Sequence, residues 1–275
     1  MKTISIINLK GGVGKTISAI NIAHVLTKIH NKRVLLVDND KQGNVSKFFG
    51  LHGYGIAGVS ELMTQRGVET QELIKNTAYS GLDVITANMN LLSANKEVLL
   101  DVSRPQQTRL KKALDTIAGQ YDYCIIDNAP DINMSVINAL VASHDVLVPI
   151  KIDKFAFDGL KQLAELIEDM QEFNPSLRLR GCFITMKTPY SVNVQGVEWL
   201  ESSTNFPIFK TAIRKTTKVD ETTFNGMPLL EYSKNSTAAQ DYVKLVAEYL
   251  GVLEFLSHTE KVLVSDTERE GENAK

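Results

Sequence analysis

The chain of 275 residues has two cysteines, one tryptophan and seven prolines. No apolar run reaches the roughly 18 residues that a membrane-spanning helix needs. Cys124 and Cys182 sit in separate apolar runs, "YDYCIID" and "GCFITM", without a C-x-x-C partner. That pattern excludes a disulfide framework and reads as two buried, inert thiols. The histidines, at 24, 30, 52, 144 and 258, show no metal-ligand spacing. Charge of either sign is not in excess: 30 basic residues face 32 acidic ones, for a net charge of −2. Any cationic surface must therefore come from local clustering. The opening "MKTISIINLKGG" lacks the apolar core and small-residue cleavage site of a secretory signal, so a cytoplasmic chain is expected. Internal repeats and linkers rich in Pro, Gly or Ser are also missing. One domain over residues 1–257 is the economical expectation, followed by a solvated tail, 258–275, with three basic and five acidic residues.

What is present suits a folded α/β protein: 43% of residues are hydrophobic and 23% charged. Apolar strand-like runs alternate with segments of helical period. Strands are expected at "TISIINL", "RVLLVD", "LDVITA", "DYCIID", "VLVPIKI" and "LRGCFITM". Helices are expected from Lys15 to Ile29, at "QTRLKKALDTIA", near "SVINALVA", at "FDGLKQLAELIEDMQEF" and "NVQGVEWLESS", and from Thr237 to Phe255. Continuous apolar strands separated by helices predict a three-layer α/β fold, a mostly parallel twisted sheet with helices on both faces. Ligands of such sheets bind at the carboxyl ends of the strands.

The loop after the first strand, "LKGGVGKT", ends as a phosphate-binding P-loop does, in Gly14, Lys15 and Thr16. Leu9 stands where the generic pattern G-x-x-x-x-G-K-[ST] has its first glycine, and Lys10 adds a second lysine. Between strand and helix, the backbone N–H groups from Lys10 to Ile17 and the positive helix end can surround phosphates. Gly11, Gly12 and Gly14 allow close main-chain approach past Val13, Lys15 carries the neutralising ammonium, and the Thr16 hydroxyl can ligate Mg²⁺. Asp38 and Asp40 end the strand "RVLLVDND", and Asp127 ends "YDYCIID". Carboxylates gathered at strand tips beside a triphosphate repel unless a cation compensates. Asp38 and Asp127 are therefore candidate Mg²⁺ residues.

These segments resemble the ParA/MinD superfamily of P-loop ATPases. "KGGVGKT" looks like its deviant Walker A motif, "LLVDNDKQGN" its D-x-D-P-Q-G-N segment, and "IIDNAPDINMSVINAL" its Walker B region. "KIDKFAFDGLKQL" looks like the E-x-F-A-x-E-G-L segment. From "FKTAIRKTTKVDETTF" onward the chain resembles ParA/Soj plasmid and chromosome partition ATPases, so the likeness runs from about Lys2 to Leu250. The resemblance implies an ATP hydrolase with ATP and Mg²⁺ as cofactors, in which ATP joins two subunits face to face. It makes Lys10 the lysine that reaches the partner's nucleotide, Asp40 the residue that orients the attacking water, and Arg214 a neighbour of the adenine. Lys41 stands at the family's proline, Asp153 and Asp158 at its glutamates, and Arg214 at a position where many relatives have proline.

Between Arg178 and Lys218 the sequence holds seven basic residues and two acidic ones. By the resemblance, Lys215 and Lys218, with Arg214 beside them, correspond to positions used for sequence-independent DNA binding. The same likeness implies a centromere-binding ParB-like partner, nucleoid association in the ATP state and slow intrinsic hydrolysis. No helix-turn-helix precedes the P-loop, and the acidic tail is unlike a basic amphipathic membrane helix, so no membrane partner is expected. An alternative is a superfamily ATPase that positions or regulates a protein cargo without DNA. An iron–sulfur reductase would need a subunit-bridging pair of cysteines, and Cys124, inside the third strand of the site, cannot serve.

Overall fold

A computed structural model describes residues 1–153, 158–189 and 206–252, together with residues 196, 198 and 200. Most of the helix expected at "NVQGVEWLESS", the tail 258–275 and the side chain of Asp158 lie outside the described residues. The last helix, expected to run to Phe255, stops at Leu250, where Gly251 takes left-handed backbone at φ 74° and ends it.

Strand β1 (Lys2–Ile6) leads through the P-loop into α1 (Lys15–Lys28). Next come β2 (Val34–Asn39), α2 (Asn44–Phe48), α3 (Val59–Thr64), α4 (Thr70–Leu73), β3 (Ile74–Asn76) and β4 (Leu82–Ile85). They are followed by α5 (Asn90–Leu100), α6 (Arg109–Asp115), β5 (Tyr123–Asn128), α7 (Met134–Ala142) and β6 (Asp145–Lys151). The described elements end with α8 (Asp158–Met170), β7 (Arg178–Thr185), α9 (Thr217–Asn225), α10 (Leu229–Tyr232) and α11 (Thr237–Leu250).

The seven strands form one sheet in the order β3-β4-β2-β5-β1-β6-β7. All pairs are parallel except β3 with β4. Helices cover both faces, as expected. Alternate strand residues (Ile4, Ile6, Leu36, Ile125) pack against α1 and α11. The intervening ones (Leu35, Val37, Cys124, Ile126) face α3, α5, α6 and α7, while β6 and β7 carry α7 and α8. Every residue of β2 is buried, the mark of a strand covered on both sides.

This order sets the site. Strand β1 has the central strand β5 beside it and β2 beyond, so the P-loop emerges at the same edge as the tips of both acid-bearing strands. The register pairs Ile6 with Asp127 and Asp127 with Asp38. At the opposite end of the sheet, Asp145 accepts a hydrogen bond from the Tyr249 hydroxyl at 2.6 Å and an ion pair from Lys2 at 2.7 Å. The first strand and the last described helix are thus fastened at one carboxylate.

The loop from Asp40 to Gly43 turns into α2 by a left-handed residue, Gly43, at φ 63°. A Cβ there would stand 2.6 Å from the Ala87 carbonyl oxygen. Backbone strain and overlap should both act, so Gly43→Ala is expected to destabilise the fold by about 2 kcal/mol or more. Thermal unfolding checks this: the midpoint should fall by at least about 4 °C.

Candidate functional site

The P-loop is braced from below. The Asn8 side chain donates to the Pro149 carbonyl at 2.8 Å and accepts the Lys10 N–H at 2.9 Å. Thr185, at the end of β7, donates its hydroxyl to the Val13 carbonyl at 2.9 Å. Gly12 and Gly14 adopt left-handed backbone, at φ 70° and 85°. A Cβ on Gly11 or Gly12 would meet nothing within 4 Å, so the concave side of the loop is open space of the kind a phosphate fills. Lys15 is buried, with its ammonium on the Lys10 carbonyl at 3.0 Å. Burial lowers its pKa, and the charges of Asp127, Asp40 and Asp131 work against that shift.

The three acids are brought together as the sequence predicts, but they are not alike. Asp38 is fully buried and committed: the Ser46 N–H and hydroxyl donate to one carboxylate oxygen at 2.8 and 2.7 Å. The Asp40 N–H approaches its other oxygen at 3.3 Å. Burial pushes the Asp38 pKa up to about 7, partly offset by the Ser46 hydrogen bonds. Asp40 is half-buried at the tip, where it accepts the Gln42 N–H at 2.9 Å and closes a tight turn. Asp127 is also buried, and neither of its oxygens has a hydrogen-bond partner. The Thr16 hydroxyl, short of full bonding geometry, and then the Lys15 charge favour its charged form. Burial first and the Asp38 charge second raise its pKa well above the ordinary carboxylate range. An unpaired buried carboxylate beside a hydroxyl and an open loop has the donor chemistry of a Mg²⁺ site completed by waters and phosphate. Among the described residues no group of three or more His, Cys, Asp or Glu side chains could hold a metal on its own.

The Lys10 ammonium pairs with both carboxylate oxygens of Asp153 just beyond β6. Sequence reasoning marked Asp153 as a shortened glutamate without assigning it this contact. Lys41 pairs loosely with Asp131 at 3.5 Å, linking the loop after β2 to the loop after β5. Ser46 and Asn8 were also missed. Each is a single polar residue whose role exists only once distant strands are adjacent.

Beside Gly14 a cleft is walled by Ile17, Met186, Ile213, Arg214 and Tyr242. Met186 takes left-handed backbone at φ 53°, uncommon for a residue with a side chain. Arg214 lines this wall, as its assignment beside a base requires, yet its charge is spoken for. It forms a two-toothed ion pair with Asp241 of α11, at 2.7 and 2.9 Å. Lys218 pairs with Glu221 at 2.8 Å, and Glu221 accepts in turn from the Tyr232 hydroxyl at 2.6 Å. Lys215 is exposed and has no ion-pair partner among the described residues. Arg178 and Arg180 begin β7, whereas Lys187 follows its far end, roughly 23 Å along an eight-residue strand. The basic stretch that looks continuous in sequence is therefore split between two ends of the sheet.

Because Asp127 and Asp38 hold protons more tightly folded than unfolded, their protonated forms stabilise the ligand-free fold. That contribution is full below the ordinary carboxylate pKa near 4 and is lost as pH rises through the folded value, about 7 for Asp38. The thermal midpoint of ligand-free protein should accordingly be lower at pH 8 than at pH 6. Asp127→Asn cannot ionise, so it should flatten this dependence and raise the midpoint at pH 8 by at least about 2 °C. An unchanged pH profile in the variant would rule this account out.

Residues 1–179 match the family model described as an AAA domain. The chain is 34% identical to the sporulation initiation inhibitor protein Soj of Bacillus subtilis, over 90% of this chain and 97% of that protein. It is 33% identical to the chromosome partitioning protein ParA of Myxococcus xanthus, over 90% of this chain and 88% of the relative. Among solved structures, cobyrinic acid a,c-diamide synthase from Mycobacterium smegmatis, with bound ADP and magnesium, superposes with a TM-score of 0.79. That match has 27% identity and covers 90% of this chain and 94% of the other. With a P-loop facing three strand-tip acids and relatives of this likeness along nearly its whole length, the chain belongs to the ParA/Soj family of partition ATPases.

Proposed function

We propose that this protein is an ATP-hydrolysing partition switch that works as a nucleotide-bound dimer on DNA. The observation that carries the reading is Asp127, a buried carboxylate with both oxygens unpaired beside Thr16 and the open P-loop. The backbone from Lys10 to Ile17 would cradle the triphosphate with the Lys15 ammonium on it, and the cleft by Arg214 would take the base. Thr16, Asp127 and Asp38 would hold Mg²⁺, directly or through water. When bound, that ion neutralises phosphate charge and orients the oxygens. ADP and magnesium in the related synthase support both ligands.

Asp40, at the start of the loop after β2, orients the attacking water. None of these groups is a histidine-like base, so positioning carries the reaction and slow turnover follows. Lys10 exchanges Asp153 for a nucleotide in the facing subunit, adding a cation where charge develops. A ParB-like partner accelerates hydrolysis, and ATP-bound dimers gather on the nucleoid of the cytoplasm without membrane attachment. The names of the Soj and ParA relatives support the partition role.

A second reading, positioning of a protein cargo without DNA, draws on one observation. Arg214 and Lys218 are neutralised by Asp241 and Glu221, which leaves Lys215 as the cation of that group without an ion-pair partner among the described residues.

Two experiments test these readings. Lys10→Ala should keep monomer nucleotide binding and lose ATP-dependent dimerisation, read as a mass that stays single by light scattering; normal dimerisation would remove the cross-subunit role. Lys215→Glu should weaken ATP-dependent retention on random duplex DNA, and retention should fall steeply with salt. Salt-insensitive retention, or none in the unmutated protein, would favour the protein-cargo reading.

A further inference from the structure

Asp38 and Asp127 are direct register partners on β2 and β5, and the next partners in the same register are Asn39 and Asn128. Side chains alternate across a sheet, so the acids face the α1 side while the amides face α7. The amide pair is buried completely. Asn39 donates its NH₂ to the Asn128 side-chain oxygen at 2.8 Å and to the Ser135 carbonyl at 3.0 Å. Asn128 donates to the carbonyls of Ile6 and Ile126, each at 3.3 Å.

These contacts fix both orientations. With carbonyls of Ile6 and Ile126 on one side, the Asn128 NH₂ must face them, and its oxygen must face Asn39. Asn39 must then present its NH₂, which leaves its own oxygen buried without a partner. A core chosen for stability alone would not retain such an orphan, because a buried acceptor without a donor loses its hydration for nothing. The bonds run from β2 through β5 to the last residue of β1, the strand that feeds the P-loop. On the opposite face, strand spacing brings two carboxylates together that repel when ionised.

We propose that the Asn39–Asn128 amide pair is a positioning brace that holds Asp38 and Asp127 at the spacing Mg²⁺ requires. The two amides do not touch the metal or the nucleotide. They hold the strand tips together against the outward push of the carboxylates on the other face. The inference rests on the reading that Mg²⁺–nucleotide binds these acids, and the test separates the two.

The measurement is the Mg²⁺ concentration that half-saturates tight binding of a fluorescent ATP analogue, compared with Mg²⁺-free affinity and with the thermal midpoint. Asn39→Leu, branched at Cγ as asparagine is, leaves the Asn128 oxygen unpaired. It should lower the midpoint and raise the Mg²⁺ requirement about fivefold, which is about 1 kcal/mol at 1.4 kcal/mol per tenfold and the worth of one hydrogen bond. Mg²⁺-free affinity should stay within about twofold. The double variant Asn39→Leu/Asn128→Leu removes both polar partners, so it should recover the midpoint while keeping the raised Mg²⁺ requirement. Asn39→Thr keeps one hydroxyl donor for Asn128 and should need no more Mg²⁺ than the unmutated protein. Recovery of both quantities in the double variant would reduce the pair to core filling and overturn the proposal. A Mg²⁺ requirement that no variant moves, or that rises equally in Asn39→Thr and Asn39→Leu, would also overturn it. Unmutated protein that binds the analogue with no Mg²⁺ dependence would instead sink the metal site itself.

Discussion

Two carboxylates buried side by side on neighbouring strands are the constraint from which the rest of this molecule follows. Asp38 and Asp127 are register partners at the carboxyl end of the sheet, and burial disfavours their charged forms. In the ligand-free fold, protonation of the pair and the Ser46 hydrogen bonds to Asp38 offset that cost. Much of the surrounding structure is devoted to keeping the acids in place. Ser46 satisfies one of them, the strand order sets the P-loop beside the other, and Asn8 and Thr185 hold that loop from beneath.

The same frame explains why the site is built from single residues far apart in sequence. In a parallel sheet each strand brings one tip to the common edge, and the connection to the next strand is a helix on one face or the other. β1 supplies the loop, β2 and β5 the acids, β6 leads to Asp153 and β7 to Met186. Local electrostatics then sorts the cations. Lys15 is turned into the loop, Lys10 out to Asp153, and Arg214 down to α11. Three basic residues that look interchangeable in the sequence thus occupy distinct environments.

The core architecture was legible because its signal is local and strong. Apolar runs such as "RVLLVD" and "YDYCIID" become buried parallel strands, and the glycine-rich loop falls between strand and helix as its composition requires. Where the signal weakened, elements were missed. Helix α5 buries Leu91, Ala94 and Val98 but exposes Leu92, Leu99 and Leu100, so its apolar period is obscured. Helix α9 buries only Thr222 and offers no apolar stripe to read. Strand β3 has three residues, none buried, and pairs antiparallel at the sheet edge. Candidate ligands were identified by type and position, but the commitments of Asp38 to Ser46 and of Arg214 to Asp241 arise from tertiary contacts that no spacing rule encodes. The basic stretch misled for a related reason: sequence proximity along β7 becomes distance when the strand is extended.

At the end of the sheet remote from the acids, Asp145 gathers the side chains of Lys2 and Tyr249. The second residue and the last described helix therefore share a corner, and the path from one to the other across that corner is short. Connectivity and packing are in this sense separable: a brief linker between those neighbours, in place of residues 253–275, and an opening at a surface turn elsewhere would reorder the described elements without moving a strand. Such a circular permutant would carry its loop and its acids where they already stand.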